Sequence, residues 1–407
     1  MATVRRGTLV VLLVALVTIG LAVLAKARCG IPAGNEGDYL RWCYSDVPPL
    51  YYTEALDEGA VPYLDHPVEY PVLTGAVMWL AAAIGEGARG FVWATWALLA
   101  ACGLGIAALL EREVGWRTTL AYAAAPTLAI SAMVNWDLPA VLLASLGIVL
   151  HRRGTDLGSG VALGLGTAAK LFPALFVLPL ALAAGRVRGT RAGIATIAGA
   201  VGAWLLVNLP IALTEPANWF TFFELSGARP SDWDALSTVV LDFTGWSVGT
   251  ATLNLVLLAV FAAGYIALLV TAVRRDDPAT WHLAALPLLA WFLLSSKVYS
   301  PQFSLWLLPL FALAFPGWRL WLAFGVADVA VTLTRFRYLA NFVGDEGGLE
   351  GAWGQEPFHA ALVVRAVLLV AVAWAGWRRE VQRFETGRRF PPHVRHHHGP
   401  RLEAARA

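Results

Sequence analysis

Lysine is almost missing from this chain. Of 30 basic residues only Lys26, Lys170 and Lys297 are lysine, and all the others are arginine. A GC-rich coding bias accounts for that preference without any physics, yet it makes each lysine worth tracing. Charge of either sign is also scarce. Charged residues make up 14% of the 407 positions, against about 25% in average soluble domains. A soluble fold of this size cannot cover its surface with so few charges, which excludes a cytosolic globular enzyme. With 58% apolar residues the chain is no disordered segment, and a net charge of +2 implies no nucleic-acid partner. Cysteine is rare as well: Cys102 sits in an apolar run and reads as core, while Cys29 and Cys43 share one polar connection.

What the chain has in abundance is apolar sequence for which lipid is the solvent. Apolar stretches run near 8–25, 70–84, 91–110, 118–134, 138–150, 158–169, 171–184, 192–213, 251–273, 281–295, 302–315, 318–334 and 360–377. Several are shorter than the roughly 20 residues that a spanning helix needs, and proline interrupts many of them. The pattern predicts an all-α polytopic membrane protein with broken or re-entrant segments. Broken helices are tolerated where the freed backbone faces protein or a water-filled cavity.

Basic residues set the orientation. Arg5-Arg6, Arg152-Arg153, the Arg186/Arg188/Arg191 group, Arg274-Arg275 and Arg378-Arg379 read as cytoplasmic. Both ends of the chain then lie inside, which requires an even number of crossings. About twelve are expected, with one early segment re-entrant and the path of 70–150 ambiguous. Residues 1–380 read as a single integral-membrane domain and 381–407 as a basic cytoplasmic tail, in which His396, His397 and His398 are ordinary solvated residues. The polar connections 26–69, 214–250 and 335–359 fall outside. So do the short breaks at Asn135-Trp136-Asp137, Lys170-Leu171-Phe172-Pro173 and Ser296 to Gln302. The working face is therefore expected to be extracytoplasmic, where Cys29 and Cys43 could form a disulfide just ahead of Asp46 or remain two free thiols.

The chemistry-bearing residues cluster on that face. The first outside connection is rich in acids and aromatics, with Tyr44, Asp46, His66, Glu69 and Tyr70 among them. A carboxylate there can take a proton from an incoming hydroxyl, and aromatic faces can stack on a sugar ring or a prenyl chain. Asp46 is the favoured base, because it follows the first span and leads into a short helix from Pro48 to Glu58. Asp65 in Leu64-Asp65-His66-Pro67 reads equally well as a turn residue. Lys170 and Lys297 each lie in a break between apolar runs, each followed by an aromatic and a proline. A charge at membrane depth is costly and faces a cavity or a partner, so a shared anion such as phosphate explains both, with Tyr299 and Gln302 in support. Snorkelling is the plainer reading of Lys170. Asp137 reads as a counter-ion, a sugar ligand or a helix cap. Arg335, Arg337 and Tyr338 either neutralise a second negative charge or meet lipid head groups.

Taken in order, the segments Tyr44 to Tyr51, His66 to Leu73, Ala169 to Leu175 and Ser296 to Gln302 resemble glycosyltransferase family 87, over about residues 5–380. The resemblance implies the integral-membrane GT-C architecture and a polyprenyl-phosphate-linked sugar donor, mannose or alternatively arabinose. It further implies transfer outside the cytoplasm to a lipid or glycan acceptor, with an Asp of the first outside loop as base, a role that Asp46 matches by position. The family includes polyprenol-phosphate-mannose-dependent α-mannosyltransferases. No cofactor is expected. No metal is expected either, since Asp46 has no close acidic partner and a hard cation wants several oxygen ligands. A transporter or flippase of a lipid-linked sugar is the rival class, since broken helices suit transporters too, although no inverted repeat is visible. A non-catalytic subunit of a cell-envelope assembly is the third.

Overall fold

The protein is described by a computed structural model over residues 6–30, 38–275, 277–343 and 348–385. The tail beyond 385, with the three histidines at 396–398, lies outside the described residues. The described chain is all-helical. In order come α1 (Arg6–Ala27), α2 (Val47–Thr53), α3 (Val72–Ile84), α4 (Gly87–Val114), α5 (Trp116–Ala123), α6 (Pro126–Ser131), α7 (Asp137–Arg152), α8 (Asp156–Ala169) and α9 (Ala174–Arg188). There follow α10 (Thr190–Thr214), α11 (Pro216–Ala228), α12 (Leu236–Thr244), α13 (Thr250–Val273), α14 (Ala285–Ser295), α15 (Leu308–Leu313), α16 (Trp318–Leu339) and α17 (Gln355–Glu385). The only extended pairing among these residues is an isolated bridge between Pro62 and His66.

Among the described residues five helices are long and apolar enough to cross a membrane: α1, α4, α10, α13 and the Gln355–Arg378 part of α17. The chain is a membrane protein on this ground. α13 keeps only Leu253 and Ala272 buried, and about half of its residues are exposed, which leaves a broad face for lipid. α3 has 13 residues, which at 1.5 Å each is about 20 Å, short of the ~30 Å hydrocarbon core.

The helices stop where the sequence withdraws backbone donors or apolar side chains. α8 ends at Ala169, Lys170 is extended (φ −150°, ψ 144°), and Pro173, which has no N–H to give, caps α9. α6 and α7 flank Asn135 and Trp136, and a 3₁₀ turn over Pro301–Trp306 follows the break after α14. One connection departs from expectation. The region 214–250 is not an open polar loop but carries α11 and α12, each with no buried residue. Its polar residues are interleaved with Trp219, Phe220, Phe222 and Phe223, so a helix can present one aromatic flank.

Small residues fix how deeply the elements pack. A Cβ added to Gly160 would lie 2.1 Å from the Thr196 carbonyl oxygen, and one added to Gly164 would lie 2.2 Å from that of Ala200. The α8 backbone therefore touches α10 directly, the contact that small-xxx-small spacing permits. The far end of α8 is tied to α3 by the Thr74 hydroxyl, which donates to the Ala169 carbonyl at 2.7 Å. Lys170, the next residue, is placed by these two contacts.

Candidate active site

A cavity of about 770 Å³ opens among the breaks. It is lined by Tyr44, Asp46, Glu69, Tyr70, Asn135, Lys170, Lys297, Gln302 and Arg335, with Phe172, Phe222, Phe303, Trp306 and Phe336 as aromatic walls. Lys26 lines it too, so all three lysines of the chain meet one space.

The loop that carries Asp46 is pinned from behind. The Ser45 hydroxyl donates to the Met133 carbonyl at 2.8 Å, and the Asp46 N–H donates to the Val134 carbonyl at 2.9 Å. Asp46 stands at the N-cap position of α2, yet its carboxylate makes no cap hydrogen bond. It accepts instead from the Tyr44 hydroxyl and from Asn135 Nδ2 at 2.6 Å. Burial first, and the Asp46 charge second, push the Tyr44 hydroxyl well above its ordinary value. Tyr44 thus stays a donor to the carboxylate at any physiological pH. Tyr44 also packs on Phe336 with ring centroids 5.2 Å apart, which fixes its own direction.

Asn135 joins this carboxylate to the nearest cation. Its Nδ2 also donates to the Tyr70 hydroxyl at 2.7 Å, and its Oδ1 accepts from Lys170 Nζ at 3.1 Å. The Lys170 ammonium lies 4.6 Å from the Tyr70 ring centroid and 3.8 Å from Asp137 Oδ1. Asp137 Oδ1 also accepts from Trp306 Nε1 at 2.7 Å, and Phe172 stacks on Trp306 at 4.3 Å. A buried ammonium needs such partners, since losing its hydration costs several kcal/mol. Here they comprise one amide, one aromatic face and one carboxylate, and the side chain still lines the cavity.

Lys297 lines the same cavity. Its Nζ donates to the Gly227 carbonyl at 3.1 Å and to the Arg229 carbonyl at 2.6 Å, holding the segment after α11 over the cavity. Its own carbonyl accepts from the Asp232 N–H at 2.8 Å. Partial burial, and then the nearby Arg229, lower its ammonium pKa from the ordinary value. Arg335 reaches the cavity while bound by Nε to both carboxylate oxygens of Asp234 at 2.8 Å.

The residues singled out from sequence divide between this cavity and its surroundings. Tyr44, Asp46, Glu69, Tyr70, Lys170, Lys297 and Gln302 all line it. Asp137 does not, being fully buried behind Lys170. Tyr299 does not either: it is 3% exposed, the Arg365 guanidinium covers its ring at 3.7 Å, and its hydroxyl meets Ser304 Oγ at 3.1 Å. His66 lies outside the cavity with Nδ1 3.7 Å from a carboxylate oxygen of Glu54. Cys29 and Cys43 are paired, with Cα atoms 6.1 Å apart. Four contributors carry no assigned role in the reading of the sequence. Asn135 stands there only as part of a helix break, and Arg229 and Asp232 are given no role, though all three line the cavity. Lys26 has no role there either, although lysine scarcity is the signal that marks it.

An all-helical membrane protein that gathers carboxylates, one of them at an N-cap position yet making no cap bond, and several cations in one cavity has the parts of a membrane-embedded transferase. A family model described as glycosyltransferase family 87 matches residues 69–296, more than half of the chain. The chain belongs to glycosyltransferase family 87 and is a membrane glycosyltransferase. The matched region contains Glu69, Tyr70, Asn135, Asp137 and Lys170, and leaves Asp46, Lys297 and Gln302 outside it. No curated protein matches the chain.

Proposed function

We propose that this protein moves a sugar, mannose in the first instance, from a polyprenyl-phosphate donor to a lipid or glycan acceptor on the extracytoplasmic side. Residues 1–380 act as one GT-C-like integral-membrane unit with about twelve crossings, in which the short α3 is re-entrant. The donor phosphate sits between Lys170 and Lys297, with Gln302 in support and Lys26 and Arg335 adding positive potential. An ammonium binds phosphate as a point charge. Asp137 and Tyr299 act from behind, the first by holding Lys170 and the second by shaping the Pro301–Trp306 turn that carries Gln302. His66 belongs to the outer rim.

In the reaction, the acceptor hydroxyl gives its proton to Asp46 while its oxygen attacks the anomeric carbon. The bond from that carbon to the phosphate oxygen breaks, and the prenyl phosphate leaves with the electron pair. Displacement from the opposite face inverts the anomeric centre. Asp46 is oriented by Tyr44 and Asn135, so it does not have to find the hydroxyl by rotation.

The observation that carries this reading is a carboxylate relieved of cap duty that faces the same cavity as all three lysines. The experiment is sugar transfer from a radiolabelled lipid-linked donor by membranes containing wild-type or Asp46→Asn protein. A positioned general base contributes about 10²–10⁴-fold, and a loss in that range is expected. Full activity in Asp46→Asn removes the base assignment. Wild-type membranes that flip the donor without transferring its sugar favour the transporter class.

A further inference from the structure

The geometry points to a second anion site, beside the large cavity, that holds a phosphate group carried by the acceptor. This rests on the transferase reading above. A separate cavity of about 370 Å³ is lined by Arg28, Cys29, Leu40, Arg41, Trp42 and Arg337. Three guanidinium groups border it, and among the described residues none is paired with a carboxylate. Arg28 Nη2 donates to the Arg41 carbonyl at 2.5 Å, and Arg337 Nη1 donates to the Gly351 carbonyl at 3.1 Å. Backbone carbonyls steady these side chains without neutralising them. Asp38 lies near the cysteine sulfurs, within 4.8 Å of them, and does not line the space. The surplus of positive charge suits an oxyanion with several acceptor oxygens, because the guanidinium fork matches phosphate.

The backbone supplies an independent sign that the site is built. Trp42 has φ +58°, a left-handed conformation that is a genuine outlier for a bulky side chain. It is held there by the neighbouring Cys43–Cys29 bond and by the Lys26 ammonium, which donates to the Trp42 carbonyl at 2.9 Å. The outcome is an indole 37% exposed at the mouth of the cavity, 6.0 Å from the Arg337 guanidinium. Local strain of this kind persists where the surroundings over-determine it, and it clusters at ligand sites. An indole beside arginines offers a sugar ring a stacking face next to a phosphate grip.

The two cavities are lined by residues close together in the chain. Trp42 lines the small one and Tyr44 the large one, and Arg337 and Phe336 divide in the same way. In this proposal a phosphate held by Arg41 and Arg337 directs the neighbouring sugar towards the cavity of Asp46. The donor phosphate and the acceptor phosphate have separate cations, lysine for the leaving group and arginine for the acceptor.

The test titrates full-length protein in phosphatidylcholine nanodiscs with inorganic phosphate and with glycerol 1-phosphate. Saturable binding that survives Lys297→Met is expected to weaken about tenfold in Arg41→Gln/Arg337→Gln. The Arg41→Lys/Arg337→Lys pair should recover part of it, with elution volume on gel filtration confirming that each variant is folded. Repeating the titration in nanodiscs that also contain phosphatidylglycerol separates two sources of the anion. Competition assigns the site to a lipid head group, and unchanged binding assigns it to a phosphate on a soluble acceptor. In transfer assays the arginine variant should raise KM for a phosphate-bearing acceptor while kcat and the KM for a neutral acceptor hold. Absence of saturable phosphate binding, or binding indifferent to the two arginines, overturns the site. Equal KM changes for both acceptors overturn the acceptor role. Binding is read without turnover, so its failure leaves the Asp46 proposal standing, and an inactive wild-type enzyme leaves the binding result readable.

Discussion

Lys170 and Lys297 read alike in the sequence, each in a break, each followed by an aromatic and a proline, yet the structure gives them different surroundings. Lys170 is 9% exposed and bound to side chains: Asn135, Asp137 and the face of Tyr70. Lys297 is more open and bound to backbone, at the Gly227 and Arg229 carbonyls. The aromatics differ as well. Phe172 stacks on Trp306 and so reaches the partner of Asp137, while Tyr299 lies under Arg365 and away from the cavity. The lesson is that one sequence pattern can mark one cavity without marking one job. Lys170 is fixed in a network of side chains, and Lys297 is a clasp on the segment around Gly227 and Arg229.

Substitution should separate the two jobs. Lys170→Met strands the buried Asp137 carboxylate, and breaking a buried pair from one side costs about 3–5 kcal/mol. Thermal unfolding in detergent is expected to report a loss of that order together with loss of donor binding. Adding Asp137→Asn should restore most of the stability but none of the donor affinity. If affinity returns with stability, Lys170 is only structural. Lys297→Met should cost under about 1 kcal/mol of stability, as at exposed charges, yet raise the donor KM about tenfold. An unchanged donor KM confines Lys297 to holding that segment.

pH should act through the segment that places Tyr70 under Lys170. Glu54 is buried and accepts from the Glu69 N–H at 3.4 Å. Burial first, with the Glu69 charge adding, pushes its carboxyl up to about 7. The folded protein therefore keeps this proton over a range in which the unfolded chain, with an ordinary carboxyl near 4.3, has released it. The contribution is fully present below the unfolded value and is lost as pH rises to about 7. Melting temperature should decline across that window, and Glu54→Gln should flatten the decline. An identical pH profile in the variant removes Glu54 from the account.

The extent to which these features are legible in sequence follows from their range. The helical membrane class and the three breaks are local consequences of composition, proline and apolar run length, and they are found where the sequence predicts them. Asp46, Lys170 and Lys297 are legible because charge is expensive in an apolar chain and stands out. Asn135 is not, since an uncharged amide carries no such signal and becomes a hub only when Asp46, Tyr70 and Lys170 converge on it from distant segments. Lys26 reads as a flanking charge until the loop after α1 folds back and presents the Trp42 carbonyl. The helices within 214–250 stay hidden because their aromatic residues are too few and too interspersed to register as an apolar run.

The central claim is that a donor phosphate sits between these unlike lysines with its sugar facing Asp46. The most direct measurement is an experimental structure of the Asp46→Asn protein with a polyprenyl-phospho-sugar bound. Phosphate oxygens within hydrogen-bond distance of Lys170 Nζ and Lys297 Nζ, with the anomeric carbon open towards residue 46, are the result the account predicts. A phosphate held elsewhere, or a sugar turned away from residue 46, contradicts it.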